Sequence, residues 1–110
     1  MFDLSDINNL LSVIPVGRNN AITARTIALR LRYPVGGNQV KTRQLIDFAI
    51  DNGSIILSSS ARVPRGYWIS DDANEVREYI RSLRNRANQI NDRADNLRTG
   101  WNINNSNNQI

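Results

Sequence analysis

The stretch Ser54 to Ser70, SIILSSSARVPRGYWIS, concentrates three hydroxyls (Ser58, Ser59, Ser60) and two guanidinium groups (Arg62, Arg65) between two apolar runs. Such a set supports two kinds of chemistry. With a general base beside it, a serine becomes a nucleophile. Without one, hydroxyls and guanidiniums donate hydrogen bonds to phosphate oxygens. The chain contains no histidine and no cysteine. That removes histidine acid–base catalysis, thiol catalysis, disulfides and the usual zinc, haem and iron–sulfur ligand sets. No Gly-x-Ser-x-Gly context surrounds the serines. The Gly-Gly of YPVGGNQVKT lacks the spacing of a phosphate-cradling Walker loop. Asp71, Asp72 and Glu75 fall where a helix begins and read as caps rather than cation ligands. The expectation is therefore a non-enzyme with no cofactor, no metal and no small-molecule substrate.

What is left is charge. The net charge is +4, and 13 of the 14 basic residues are arginine. Residues 1–70 hold eight Lys/Arg against four Asp/Glu, and residues 71–110 hold six against six, so the basic excess lies wholly in the first part. Arginine suits bidentate contact with phosphate and with guanine edges. No N-terminal run resembles a signal peptide, and no stretch approaches the roughly 20 apolar residues of a membrane span. The expected location is the cytoplasm, with no membrane partner.

Hydrophobic spacing supplies the elements that must position these groups. Leu4, Ile7, Leu10, Leu11 and Ile14 recur at helical intervals and predict a first helix over 4–14, capped by Asp3 or Ser5. Ala21-Ile22 reads as a very short extended piece. Thr23 is a good N-cap for a second helix over 24–32, with Ile27, Ala28 and Leu31 on one face. Pro34, Gly36 and Gly37 break the chain. Asn38 is the expected cap of a third helix over 39–52, whose inner stripe is Val40, Leu45, Ile46, Ala49 and Ile50 with Phe48 at the margin. Gly53 stands where a left-handed C-cap belongs. Ile55-Ile56-Leu57 and Tyr67-Trp68-Ile69 predict two antiparallel strands joined by a loop longer than a tight hairpin uses.

Ser70 or Asp71 is expected to cap a long helix over 72–98. Val76, Ile80, Leu83, Ala87, Ile90, Ala94, Leu97 and Trp101 follow a 4-3-4-3-4-3-4 spacing, a heptad seam. Leu83, Ala87, Ile90, Ala94, Leu97 and Trp101 are its candidate oligomerisation residues, with a dimer as the first expectation. The tail 101–110 is polar, low in complexity and expected to be disordered. The division expected is thus 1–70 as one domain, 71–100 as the long helix and 101–110 as the tail.

The order of helix, short strand, helix, turn, helix, strand, loop and strand, carried by AITARTIALRL, VKTRQLIDFAIDNGSIILSS and GYWI, resembles winged helix-turn-helix DNA-binding domains. The GYWIS…EVREYIRSLRNRANQI tail is most similar to small winged-helix proteins of phages and prophages. The fold class implied is α/β, mostly α: three helices, a β-hairpin wing and a long C-terminal helix. The resemblance implies double-stranded DNA as partner, with the third helix in the major groove and the wing (58–66) on the backbone or in the minor groove. The residues placed on DNA are Gln39, Lys41, Thr42, Arg43 and Gln44 from the third helix, Ser59, Ser60, Arg62 and Arg65 from the wing, and Arg25 from the second helix. Arg18 and Arg30 are secondary candidates for backbone contacts. Transcriptional regulation is the first expectation among the processes such a protein serves. The alternative is a winged-helix module that binds protein instead of DNA, through the heptad seam and an exposed Trp68.

Overall fold

The computed structural model describes all residues from Met1 to Ile110. The chain is mostly helical, with one two-stranded antiparallel hairpin and a long C-terminal helix. It divides into two units, Met1–Ala73 and Asn74–Ile110.

The first unit contains α1 (Leu4–Val13), α2 (Ala24–Leu31), α3 (Val40–Asp51), β1 (Ile56–Ser59) and β2 (Gly66–Ile69). Asp3 caps α1 in a reciprocal box. Its carboxylate accepts from the Asp6 amide at 3.0 Å, and the Asp6 carboxylate accepts from the Asp3 amide at 2.9 Å. Thr23 caps α2 by accepting from the Thr26 amide at 3.2 Å. One face of each helix then meets in a common core, where Leu10, Ile27, Leu45 and Ala49 are fully buried. Truncating a leucine in such a site costs about 2–5 kcal/mol.

The strands pair Ile56 with Ile69, Leu57 with Trp68, Ser58 with Tyr67 and Ser59 with Gly66. Trp68 is buried at 2 % exposure on one face of the strand, while Tyr67 and Ile69, on the opposite face, are half-buried and pack against the core. Trp68 is therefore a packing residue, not the exposed anchor that the protein-binding alternative required.

A third strand of backbone braces the hairpin. Ile22 and Tyr67 exchange hydrogen bonds (Ile22 N–H to Tyr67 O, 3.0 Å; Tyr67 N–H to Ile22 O, 2.7 Å). The Pro15–Gly17 segment pairs with Ile69 from the same side. The approach at Ile22 is so close that only glycine fits next to it. A Cβ on Gly66 would lie 2.1 Å from the Ile22 carbonyl oxygen, and Gly66 has φ +114°. The short extended piece expected at 21–22 thus fixes the root of the hairpin to the start of α2.

Two parts of α3 differ from expectation. Asn38 is not its cap. Asn38 (φ 61°) and Gln39 (φ 56°) both take the left-handed conformation, and Gln39 stands at the N-cap position with no side-chain capping bond. The inner stripe is also rotated: Val40 and Ile50 are exposed, and Thr42 is fully buried beside Leu45, Ile46 and Ala49.

The second unit is the body of α4 (Ala73–Asn104) and the residues after it. The helix starts one residue later and runs six residues further than the expected 72–98. The tail expected as disordered folds back on the last turn instead. The Trp101 indole N–H donates to the Asn108 carbonyl at 2.7 Å, and the Ile110 amide donates to the Asn102 side chain at 2.9 Å. The Asn105 side chain also donates to the Trp101 carbonyl at 3.0 Å, a cap that composition alone does not reveal. No helix is long and apolar enough to cross a membrane.

Candidate nucleic-acid interface

The root of the hairpin, the start of α2 and the start of α3 enclose a groove of about 420 Å³. Three arginines line it, one from each place: Arg25 from α2, Arg43 from α3 and Arg65 from the residue before β2. Gln39, Ser58, Ser59, Ser60 and Tyr67 complete the polar lining, and no acidic side chain takes part. The covalent order explains the meeting. Arg25 follows the Thr23 cap by two residues and Arg65 precedes Gly66, so the Ile22–Tyr67 pairing brings both arginines to one wall.

Arg43 is the most constrained of the three. Its Nε donates to the Asn38 carbonyl at 2.7 Å, and its Nη1 donates to the Tyr67 hydroxyl at 3.0 Å. The first bond holds a carbonyl presented by the left-handed turn, and Gln39 Nε2 stabilises the same turn by donating to the Val35 carbonyl at 2.6 Å. Left-handed backbone costs a non-glycine residue about 1–3 kcal/mol, so these bonds offset a real penalty. Two of the five guanidinium N–H donors are used, and the rest stay available at an exposed side chain. The uncapped N-terminus of α3 leaves its first amides without a side-chain acceptor, an end that favours an anion. Ser59 Oγ accepts from the Ala61 amide at 3.1 Å and shapes the loop, retaining its own proton for donation.

The remaining residues expected on DNA are distributed differently. Lys41 and Gln44 are exposed but lie on the other flank of α3, lining a larger, more apolar groove of about 890 Å³ with Phe2, Phe48, Asp47 and Asp51. The Lys41 ammonium sits 4.1 Å from the centre of the Tyr33 ring. Burial, with the Asp6 and Asp3 carboxylates adding to it, raises the Tyr33 phenol above its ordinary pKa. The two flanks of α3 are therefore electrostatically distinct: arginines without acids on one side, a lysine among carboxylates on the other. Thr42 is fully buried, and its hydroxyl has no hydrogen-bond partner. It cannot touch a ligand, which corrects the expectation that it contacts DNA. It lies three residues before Leu45 and four before Ile46, so helical periodicity puts it on the buried face that they define. Arg62 is exposed in the loop beyond the groove. Arg18 lies over the Trp68 ring at 5.6 Å, and Arg30 donates to the Val13 carbonyl at 3.0 Å, so both brace the fold.

Tyr67, which lines the groove and holds Arg43, is the residue that sequence reasoning did not place there. The strand alternation indicated that one of Tyr67 and Trp68 would face outward, but nothing in the spacing pointed to Arg43 as its partner.

No protein-family model matches the chain, and neither curated proteins nor solved structures include a match to it. Among the chain's Asp and Glu side chains, no group of three or more is placed to hold a metal ion.

Proposed function

We propose that the first unit is a winged helix-turn-helix domain that binds double-stranded DNA, as phage-type regulatory proteins of that family do. The observation that carries this reading is the acid-free groove, in which Arg25, Arg43 and Arg65 converge from three separate elements on the uncapped start of α3. Only the first turns of α3 enter the major groove, because Asp47 and Asp51 occupy its exposed face beyond Gln44. Gln39 and Arg43 read base edges from one flank and Gln44 from the other, where glutamine suits adenine and arginine suits guanine. Lys41 meets the phosphates of the far strand. Ser59, Ser60 and Arg65 lie along the near backbone, and Arg62 reaches the narrower minor groove.

Titration of a labelled duplex, followed by fluorescence anisotropy, tests the proposal. The unaltered chain binds, and Arg25→Ala/Arg65→Ala binds much more weakly while keeping its fold. Equal affinities of the two proteins reject the reading.

One observation favours a second activity in the other unit. Leu83, Ile90 and Leu97 on the heptad seam are 44 %, 66 % and 69 % exposed. Apolar side chains spaced for knobs-into-holes packing and left in solvent make α4 an association surface for another helix. The seam includes Ala87, Ala94 and Trp101 as well, although the Trp101 indole N–H is already satisfied by the tail.

A further inference from the structure

The flanks of that seam say which helix it takes. With Ile80, Ala87, Ala94 and Trp101 at a and Leu83, Ile90 and Leu97 at d, the residues next to the seam fall at e and g. Arg77, Arg84 and Arg98 occupy e; Arg86 and Arg93 occupy g; all five are exposed. They are five of the six arginines in α4, and none of its four acidic residues joins them. Glu75, Glu78, Asp92 and Asp95 all fall at the outer b, c and f positions. Positions e and g face a partner's flanks and set partner choice through charge.

We propose that α4 is a docking strip for an amphipathic helix of another protein whose own flanks are acidic. The inference rests on α4 being an association surface and names its partner by charge. A second copy is a poor occupant. In either direction of pairing, arginine would meet arginine or a neutral residue across the seam, and in a parallel pair Ala87 and Ala94 would face their own copies and bury little. The dimer expected from spacing alone is thus opposed by the flanks. Nucleic acid is a poor occupant too, because the arginines bracket an apolar strip on both sides instead of forming one polar face. The seam from Ile80 to Trp101 is roughly 30 Å long at 1.5 Å per residue, and its two alanine layers leave room for bulky side chains from a partner.

Two synthetic peptides of about four heptads, with the same Ile/Leu seam and either Glu or Lys at every e and g, serve as probes for the full-length chain. Light scattering gives the mass of the chain alone, calorimetry gives both affinities, and circular dichroism verifies helicity. The expected results are a monomer, at least tenfold tighter binding of the Glu peptide, and a reversed preference in Arg84→Glu/Arg86→Glu/Arg93→Glu. A dimer that survives dilution and binds neither peptide overturns the partner assignment while leaving association intact. A monomer that binds neither peptide overturns both. Equal affinity for the two peptides, or a duplex-DNA affinity that falls at least tenfold in the triple variant, also overturns the assignment.

Discussion

Salt dependence offers the sharpest measure of the arginine groove. Each phosphate neutralised by a cationic side chain contributes about −0.9 to the slope of log affinity against log salt on duplex DNA. Arg25 and Arg65 line the groove, so they contribute about −1.8 if each meets one phosphate. Arg25→Ala/Arg65→Ala removes that share, a difference of about 1.8. Contributions from Arg62 or Lys41 shift both slopes equally and cancel in that difference. A fourfold rise in salt, from ~50 to ~200 mM, then weakens the unaltered chain about twelvefold more than the double variant. Both substituted residues are at exposed positions outside the core, so thermal unfolding should be nearly unchanged. Anisotropy titrations at four or more salt concentrations give the slopes. Parallel lines, with a slope difference below about 0.5, would refute the idea that these arginines sit on phosphates, even if the chain binds DNA.

Four further outcomes follow from single positions. Tyr67→Phe removes the hydroxyl that holds Arg43 but no charge. It should weaken duplex binding severalfold and leave the salt slope intact; a shallower slope would show that Tyr67 does more than position. Thr42→Val replaces a buried, unpartnered hydroxyl with a methyl, and should stabilise the fold by about 1 kcal/mol in chemical denaturation without altering DNA affinity. Destabilisation would mean that the hydroxyl has a partner. Gly66→Ala and Gly100→Ala should act in opposite directions. The first forces a Cβ against the Ile22 carbonyl at positive φ and should cost about 3 kcal/mol. The second meets open space inside α4 and should raise helicity by circular dichroism, since alanine is favoured over glycine there by about 1 kcal/mol.

Local signals were legible in the sequence. Asp3 and Thr23 are caps because a short oxygen-bearing side chain preceding an apolar helical stripe has amides to satisfy nearby. The hairpin follows from two β-branched and aromatic runs. Arg25, Gln39, Arg43, Ser59, Ser60 and Arg65 were all picked out by residue type, and the structure brings them to one groove. Thr42, Lys41 and Gln44 were grouped with them by proximity along the chain, which does not resolve the flanks of a helix. Ahead of α3, Asn38 and Gln39 form a left-handed turn. That turn is held by Arg43 and Gln39, bonds that no local pattern announces.

By itself the sequence determined periodicity, charge and chemistry: three short helices, a hairpin and a heptad seam, with arginine as the dominant cation and no nucleophile–base pair. These depend on neighbours within a few residues, where spacing is a sufficient guide. Only the tertiary structure decided that three arginines from distant parts of the chain share an acid-free groove, that Trp68 is buried while Tyr67 fixes Arg43, and that Thr42 is enclosed. The physical reason is the pairing of Ile22 with Tyr67 across 45 residues. Backbone hydrogen bonds carry no side-chain signature, so a sequence can permit that meeting, through Gly66, without declaring it.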